Sequence, residues 1–258
     1  MRMHFLIAQK TYRINLQYRY TQLINAFGSA IIGFILVCVW RAGSTPYGGV
    51  GKYSTANLIS WIAFAQVLFN IVHPATGLNI QKSVRTGNIS LEFLRPINYF
   101  TYVMSRELGR QLYALVFKSI PIFLIYWALF SFKIQSFSQI LLLIFTIVLG
   151  VYISMCINYL VGISALFTTD IRWANTLSFS LLCVASGSMI PVDLLPGVVG
   201  KILSRSPWAC FMNPACSVFV GLYNNNILVI PLVWSFILTL TCLGLTNLGK
   251  QKVEVQGG

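Results

Sequence analysis

The chain has 258 residues, 57% hydrophobic and only 9% charged, with eighteen lysines and arginines against five acids, a formal net charge of +13 and a mean hydropathy of +0.75. Soluble domains carry about 25% charged residues, so a water-facing shell cannot be built from this stock and a soluble fold is excluded. A nucleic-acid binder is excluded too, because the bases stand at the ends of apolar runs, as in membrane proteins, and not in one basic patch.

Residues 1–21 come first in chain order. Charge interrupts MRMHFLIAQKTYRINLQYRYTQ too often for an apolar signal core, and no small-residue cleavage site follows, so no cleavable signal peptide is expected. As a helix the segment groups Phe5, Tyr12, Leu16 and Tyr20 on one side, with Lys10, Gln17 and Thr21 on another. Two readings stand: an interfacial helix lying on the membrane, or a basic leader that only fixes topology.

Six apolar runs follow, most of them near the ~20 residues that span a bilayer. They are Leu23 to Trp40, Thr55 to Val72, Leu112 to Phe132, Ile140 to Phe167, a short run from Leu177 to Ile190, and Ile227 to Leu248. His73, before Pro74 at the end of the second run, reads as a polar helix terminus and not as a ligand.

The connection after the second run, residues 77–100, is charged and amphipathic. GLNIQKSVRTG predicts a short helix from about Leu78, stopped by Gly87. Asn88 or Ser90 is placed to cap a second one carrying Leu91, Phe93 and Leu94, which Pro96 ends. Its exposed apolar residues need either a partner or the headgroup layer.

Lys118 stands inside the third run, where a charge is expensive and either snorkels or lines a pathway. The fifth run carries Asn175, Ser178, Ser180, Ser186 and Ser188, small polar groups that line a route or let helices pack closely. In residues 188–221, Pro191, Pro196, Pro207 and Pro214 cut an apolar sequence into pieces too short to span. Asp193 is placed to cap a helix whose first turn holds Pro196. This reads as a re-entrant hairpin, which must be surrounded by protein or a water-filled cavity, or as a loop resting on the outer leaflet. Cys210 and Cys216 within it are spaced compatibly with a disulfide. Cys38, Cys156, Cys183 and Cys242 read as small apolar fillers.

Twelve bases (Arg2, Lys10, Arg13, Arg19, Lys82, Arg85, Arg95, Arg106, Arg110, Arg172, Lys250 and Lys252) fall on one side of this arrangement. Five (Arg41, Lys52, Lys133, Lys201 and Arg205) fall on the other. The positive-inside rule puts the first set, and both termini, in the cytoplasm.

Catalytic chemistry is not assembled by the remaining residues. Glu92, Glu107, Asp170, Asp193 and Glu254 form no evident acid–base pair, and no GxSxG or HExxH occurs. GLTNLGKQ, Gly244 to Gln251, matches GxxxxGK, but Gln251 replaces the magnesium-binding Ser or Thr and the segment ends an apolar helix. Neither a nucleotide nor a metal is expected to bind this chain.

VRTGNISLEFLRPI followed by SGSMIPVDLLPGVVGKILSRSPWACFMNPACSVFVG resembles the permease subunits of type 2 ATP-binding-cassette exporters, above all a group whose permeases are often encoded in pairs. The likeness covers nearly the whole chain: a basic N-terminal helix, six spans, a G-x(6)-LRP loop and a P-x(3)-LP hairpin. It implies an all-α transmembrane domain in a bacterial inner membrane, with residues 1–21 as the connecting helix. Val84, Arg85, Gly87, Leu91, Phe93, Leu94, Arg95 and Pro96 would be the coupling element, seated on a cytoplasmic ATPase dimer that holds ATP and magnesium. Pro191, Leu195, Pro196, Pro207 and Pro214 would shape an external gate. A second permease chain, identical or paired, would complete the route for a drug, peptide or lipid-like substrate. A non-transporting immunity or anchor protein and an ion-coupled carrier are the alternatives.

Overall fold

The computed structural model describes residues 2–72, 76–130, 132, 136–168 and 170–257. Nearly all of this backbone is helical, as hydrocarbon demands, because a helix satisfies its own peptide groups. Helix α1 (Arg2–Leu16) turns at Gln17 and Tyr18 into α2 (Arg19–Ser44). A two-stranded antiparallel hairpin, β1 (Gly49–Val50) and β2 (Tyr53–Ser54), leads into α3 (Thr55–Val72). The short helices α4 (Ile80–Arg85) and α5 (Asn88–Phe93) follow. Helix α6 (Tyr99–Ala114) runs through a π turn (Leu115–Ser119) into α7 (Ile120–Phe130). Then come α8 (Phe137–Ile163), α9 (Arg172–Ala185), α10 (Gly197–Ser204), α11 (Asn213–Val220) and α12 (Val229–Gly257).

Among the described residues, five helical runs are long and apolar enough to cross a membrane, starting at Arg19, Thr55, Tyr99, Phe137 and Val229. The second is buried on nearly every side and is the hub: Leu58, Trp61, Ile62 and Ala65 are fully enclosed, with α2, α7, α8 and α11 packed around them. The outer faces of α2 and α12 display Phe27, Ile31, Val233 and Phe236, surface suited to lipid.

Helix boundaries depart from the apolar runs where polar residues continue the helix. The first run gains a turn at each end. The third starts at Tyr99 and not at Leu112, because Asn98 Oδ1 accepts the Phe100 N–H at 2.9 Å and caps an amphipathic front half. Helix α1 packs along that front half. Its Ala8 carbonyl lies so close to Gly109 that a Cβ there would stand 2.2 Å away, and Tyr12 meets Tyr113 edge-on at 5.9 Å. Tyr20 belongs to α2, so the four aromatic and aliphatic residues expected on one face of α1 do not share a helix. The fifth run stops at Ala185 after 14 residues, where Gly187 takes φ +83. His73 and Lys133 lie outside the described residues.

Candidate functional site

Both segments singled out by the sequence are built structures, at opposite ends of the bundle. At the first end the chain leaves α3 through Gly77, Leu78 and Asn79, all left-handed (φ 52, 51 and 61). Two of these are not glycine, a strained arrangement that surrounding contacts must hold. Leu78 is buried, and its carbonyl accepts Arg106 Nη2 at 2.7 Å. Gly77 presses on α8 so closely that a Cβ on Gly162 would stand 2.3 Å from its carbonyl oxygen.

Helix α4 ends as expected, with Gly87 at φ 72 and its N–H on Val84 O at 3.1 Å. Helix α5 does not use Asn88 or Ser90 as a cap. Its N-cap is Gly87, and no side chain caps it, because Asn88 is already in the first turn. Glu92 fastens the pair from behind instead, accepting Ser83 Oγ at 3.3 Å and Tyr99 Oη at 3.2 Å. Phe93 turns inward and meets Tyr99 edge-on at 4.8 Å, while Val84 is half-buried. Leu91 and Leu94 remain 66% and 79% exposed. Arg85, Gly87, Arg95 and Pro96 surround them at the surface, with the Arg95 guanidinium 4.6 Å from the Tyr102 ring. Arg85 reaches Asp170, before α9, at 3.8 Å. The Asp170 carboxyl is held below the usual carboxylate range by the Arg172 backbone N–H and then by the Arg172 side chain. The result is an exposed two-leucine knob on a braced turn, with Arg85 and Arg95 exposed in the same segment.

At the other end, three successive carbonyls after α9 are held by side chains of α2 and α3. Trp61 Nε1 donates to Gly187 O at 3.0 Å, Gln66 Nε2 to Ser188 O at 3.0 Å, and Trp40 Nε1 to Met189 O at 2.9 Å. Pro191, Pro207 and Pro214 are buried, Leu195 half-buried and Pro196 exposed. Residues 207–219 of the broken segment are largely buried, whereas Val198, Val199 and Ile202 of α10 are exposed. Gln139 Nε2 donates to Val218 O at 2.6 Å, and a Cβ on Gly150 would stand 2.2 Å from Phe211 O. Pro196 is the N-cap of α10 and not its first residue, and Asp193 caps nothing. Asp193 sits in the turn Val192–Leu194, where its Oδ2 accepts Lys52 Nζ at 2.6 Å and Tyr53 Oη at 3.0 Å. Burial, then the Asp193 carboxylate, pushes the Tyr53 phenol up. Cys210 and Cys216 are separate buried thiols, so the spacing that permits a disulfide does not produce one.

The remaining polar candidates do not converge. Ser178, Ser186 and Ser188 are buried, but the Ser186 hydroxyl bonds Leu182 O and that of Ser188 bonds Cys183 O at 3.1 Å. Asn175 is half-buried and Ser180 exposed. Lys118 lies half-buried in the π turn. Among the described residues no group of His, Cys, Asp or Glu could hold a metal.

One cavity lies apart from both segments, and two are lined in large part by residues 192–217. An apolar groove of about 370 Å³ runs between α3, α6 and α8, past Ile71, Leu108, Leu112, Val148 and Met155. Two cavities at the end opposite the α4–α5 knob, about 320 and 540 Å³, share Lys52, Asp193 and Ser204 as lining. Sequence reasoning missed this cluster, and also the buried Glu107 that takes Arg110 Nη2 at 2.5 Å and Gln111 Nε2 at 3.1 Å. Tryptophan and glutamine inside apolar helices were the available signal, since their polar tips need partners when buried.

A family model described as ABC-2 family transporter protein matches residues 27–254, most of the chain. No curated protein matches it.

Proposed function

The chain belongs to the ABC-2 transporter family, and from that premise we propose that it is the permease of an ATP-driven exporter, worked through the α4–α5 knob. As a multi-pass membrane protein of this family it is the transmembrane component of an ABC transporter, not the ATPase, and it associates with an ABC ATPase. The finer reading starts from one observation. Leu91 and Leu94 are two large apolar side chains left in the open on a turn whose back is fixed by Glu92, Tyr99 and Arg106. A rigid apolar anchor with a charged rim is what a compact protein contact needs. A turn held by α6 and α8 passes a push on to them instead of absorbing it.

In this reading the knob and both termini face the cytoplasm of a bacterial inner membrane, α1 is the connecting helix, and ATP and magnesium belong to the partner. Two permease chains, identical or paired, meet around the route. Residues 188–221 form the outer gate, with Pro191, Leu195, Pro196, Pro207 and Pro214 shaping its turns. Asn175, Ser178, Ser180, Ser186, Ser188 and Lys118 are the candidates for lining the route. The apolar groove and the scarcity of intramembrane charge support an amphipathic or hydrophobic substrate.

The test is co-purification with candidate cytoplasmic ATPases in mild detergent. Wild-type chain retains its ATPase. The double change Leu91→Asp with Leu94→Asp loses it, while the variant still inserts and elutes as a folded species. Undiminished retention by the variant rejects the assignment.

A further inference from the structure

The pair Lys52–Asp193 stands where the two outer cavities meet, and both residues line both of them. Among the described residues Asp193 is the only acid at this end of the bundle: Glu92, Glu107 and Asp170 lie at or near the opposite end, and Glu254 is far along α12. Its oxygen is taken by an ammonium group at 2.6 Å. That ammonium sits on a long flexible stem, on the turn of a six-residue hairpin, with 54% of the lysine side chain and 35% of the aspartate exposed. Such a pair is weak and exchanges readily. A second acceptor borders the smaller cavity: Asn213 Oδ1 is buried and has no hydrogen-bond partner. Leu222, Ile227, Ile230 and Pro231 supply apolar lining, and Ser217, Asn224 and Asn226 polar lining. A small-molecule site combines a concavity, an apolar side and fixed polar groups. Two of the polar groups, Asp193 and Asn213 Oδ1, are acceptors that suit a cation, and Lys201 lines only the larger cavity.

We propose that the outer cavity binds ligands carrying a primary amine on an apolar body, with Asp193 as the anchor and Lys52 as a built-in occupant that the ligand displaces. Lys52 thereby sets the affinity: removing it strengthens binding, where an ordinary wall residue would weaken it. The site is independent of ATPase docking, and its test reads binding alone.

Ser204 lines both cavities and serves as the reporter. In purified chain carrying Cys38→Ser, to silence an exposed thiol, and Ser204→Cys, the rate of maleimide labelling is followed. Phenethylamine slows labelling saturably, whereas 2-phenylethanol at the same concentration does not. Asp193→Asn abolishes the protection. Lys52→Met lowers the phenethylamine concentration for half-protection by about tenfold, because the competent fraction of sites rises. Equal protection by amine and alcohol, or weaker protection after Lys52→Met, overturns the proposal. The second result stands even if Asp193→Asn fails to fold.

Discussion

Glu107 is 5% exposed on α6, and Arg110 grips its Oε1 through Nε at 2.7 Å and Nη2 at 2.5 Å, one turn on. Removing one member of a buried pair strands the other in a medium that solvates it poorly, whereas removing both with apolar replacements is often neutral. Arg110 keeps 27% of its side chain exposed and can reach partway to water, which tempers the penalty. Glu107→Leu is therefore expected to destabilise the chain by about 1–3 kcal/mol. The double variant Glu107→Leu with Arg110→Leu should be closer to wild type. Thermal unfolding in detergent, followed by tryptophan fluorescence, compares the two. A larger loss in the double variant rejects a stabilising role for the pair. The contrast with Lys52–Asp193 is one of burial: the same charge types form a buried brace within the bundle and a partly exposed pair at the end opposite the knob.

At the scale of elements, the run from Tyr99 to Phe130 is continuous yet not uniform, and one residue explains where it changes. Pro121 has no N–H to offer Phe117, and in a regular helix its ring presses on that carbonyl. The chain answers with the π turn Leu115–Ser119, in which the Ile120 N–H bonds Leu115 O, five residues back. Pro121→Ala removes the cause. It is expected to raise stability by about 1–3 kcal/mol and to restore an α turn that re-registers Lys118. A lowered melting temperature contradicts this account. Proline, visible in the sequence, marks the place, but whether it yields a kink or an extra residue per turn depends on neighbours the sequence does not display. The same distinction governs what was legible elsewhere. Helix α3 coincides with its apolar run, Thr55–Val72, because every face of it is buried and composition alone reports that. The front half of α6 was hidden because it is amphipathic, and its apolar residues face α1 and α8 among Arg106, Glu107 and Arg110. Gly87 announced the end of α4 through backbone freedom. The brace from Glu92 to Tyr99 arises from tertiary folding and had no local signature. The knob residues Leu91 and Leu94 were legible; that Phe93 between them faces inward was not. Asp193 illustrates the converse: next to a helix start its local role is a cap, and Lys52 and Tyr53, far away in sequence, outbid that role.

At the scale of the whole molecule, five long helices alone would leave the chain's ends on opposite faces of a membrane, so α9 decides the topology. Its 14 residues cover about 21 Å at 1.5 Å per residue. It begins beside Asp170, which meets Arg85 at the knob end. The carbonyls of Gly187, Ser188 and Met189 that follow it are held by Trp61, Gln66 and Trp40, near the opposite end. The bent segment 186–190 after the helix adds to that reach toward the ~30 Å of a hydrocarbon core. Helix and following segment together are expected to make the sixth crossing that five long helices lack. This predicts that the knob and the Lys52 hairpin lie on opposite sides, with the segment before α12 on the hairpin side. In intact cells expressing a Cys38→Ser background, a membrane-impermeant maleimide is expected to label Lys52→Cys and Asn224→Cys, both of which replace exposed residues. Asn88→Cys, also at an exposed position, should react only after the membrane is opened. Labelling of Asn88→Cys in intact cells inverts the orientation. Labelling of Lys52→Cys without Asn224→Cys would mean that α9 turns back without crossing, and the two outer cavities would then have to form by some other route.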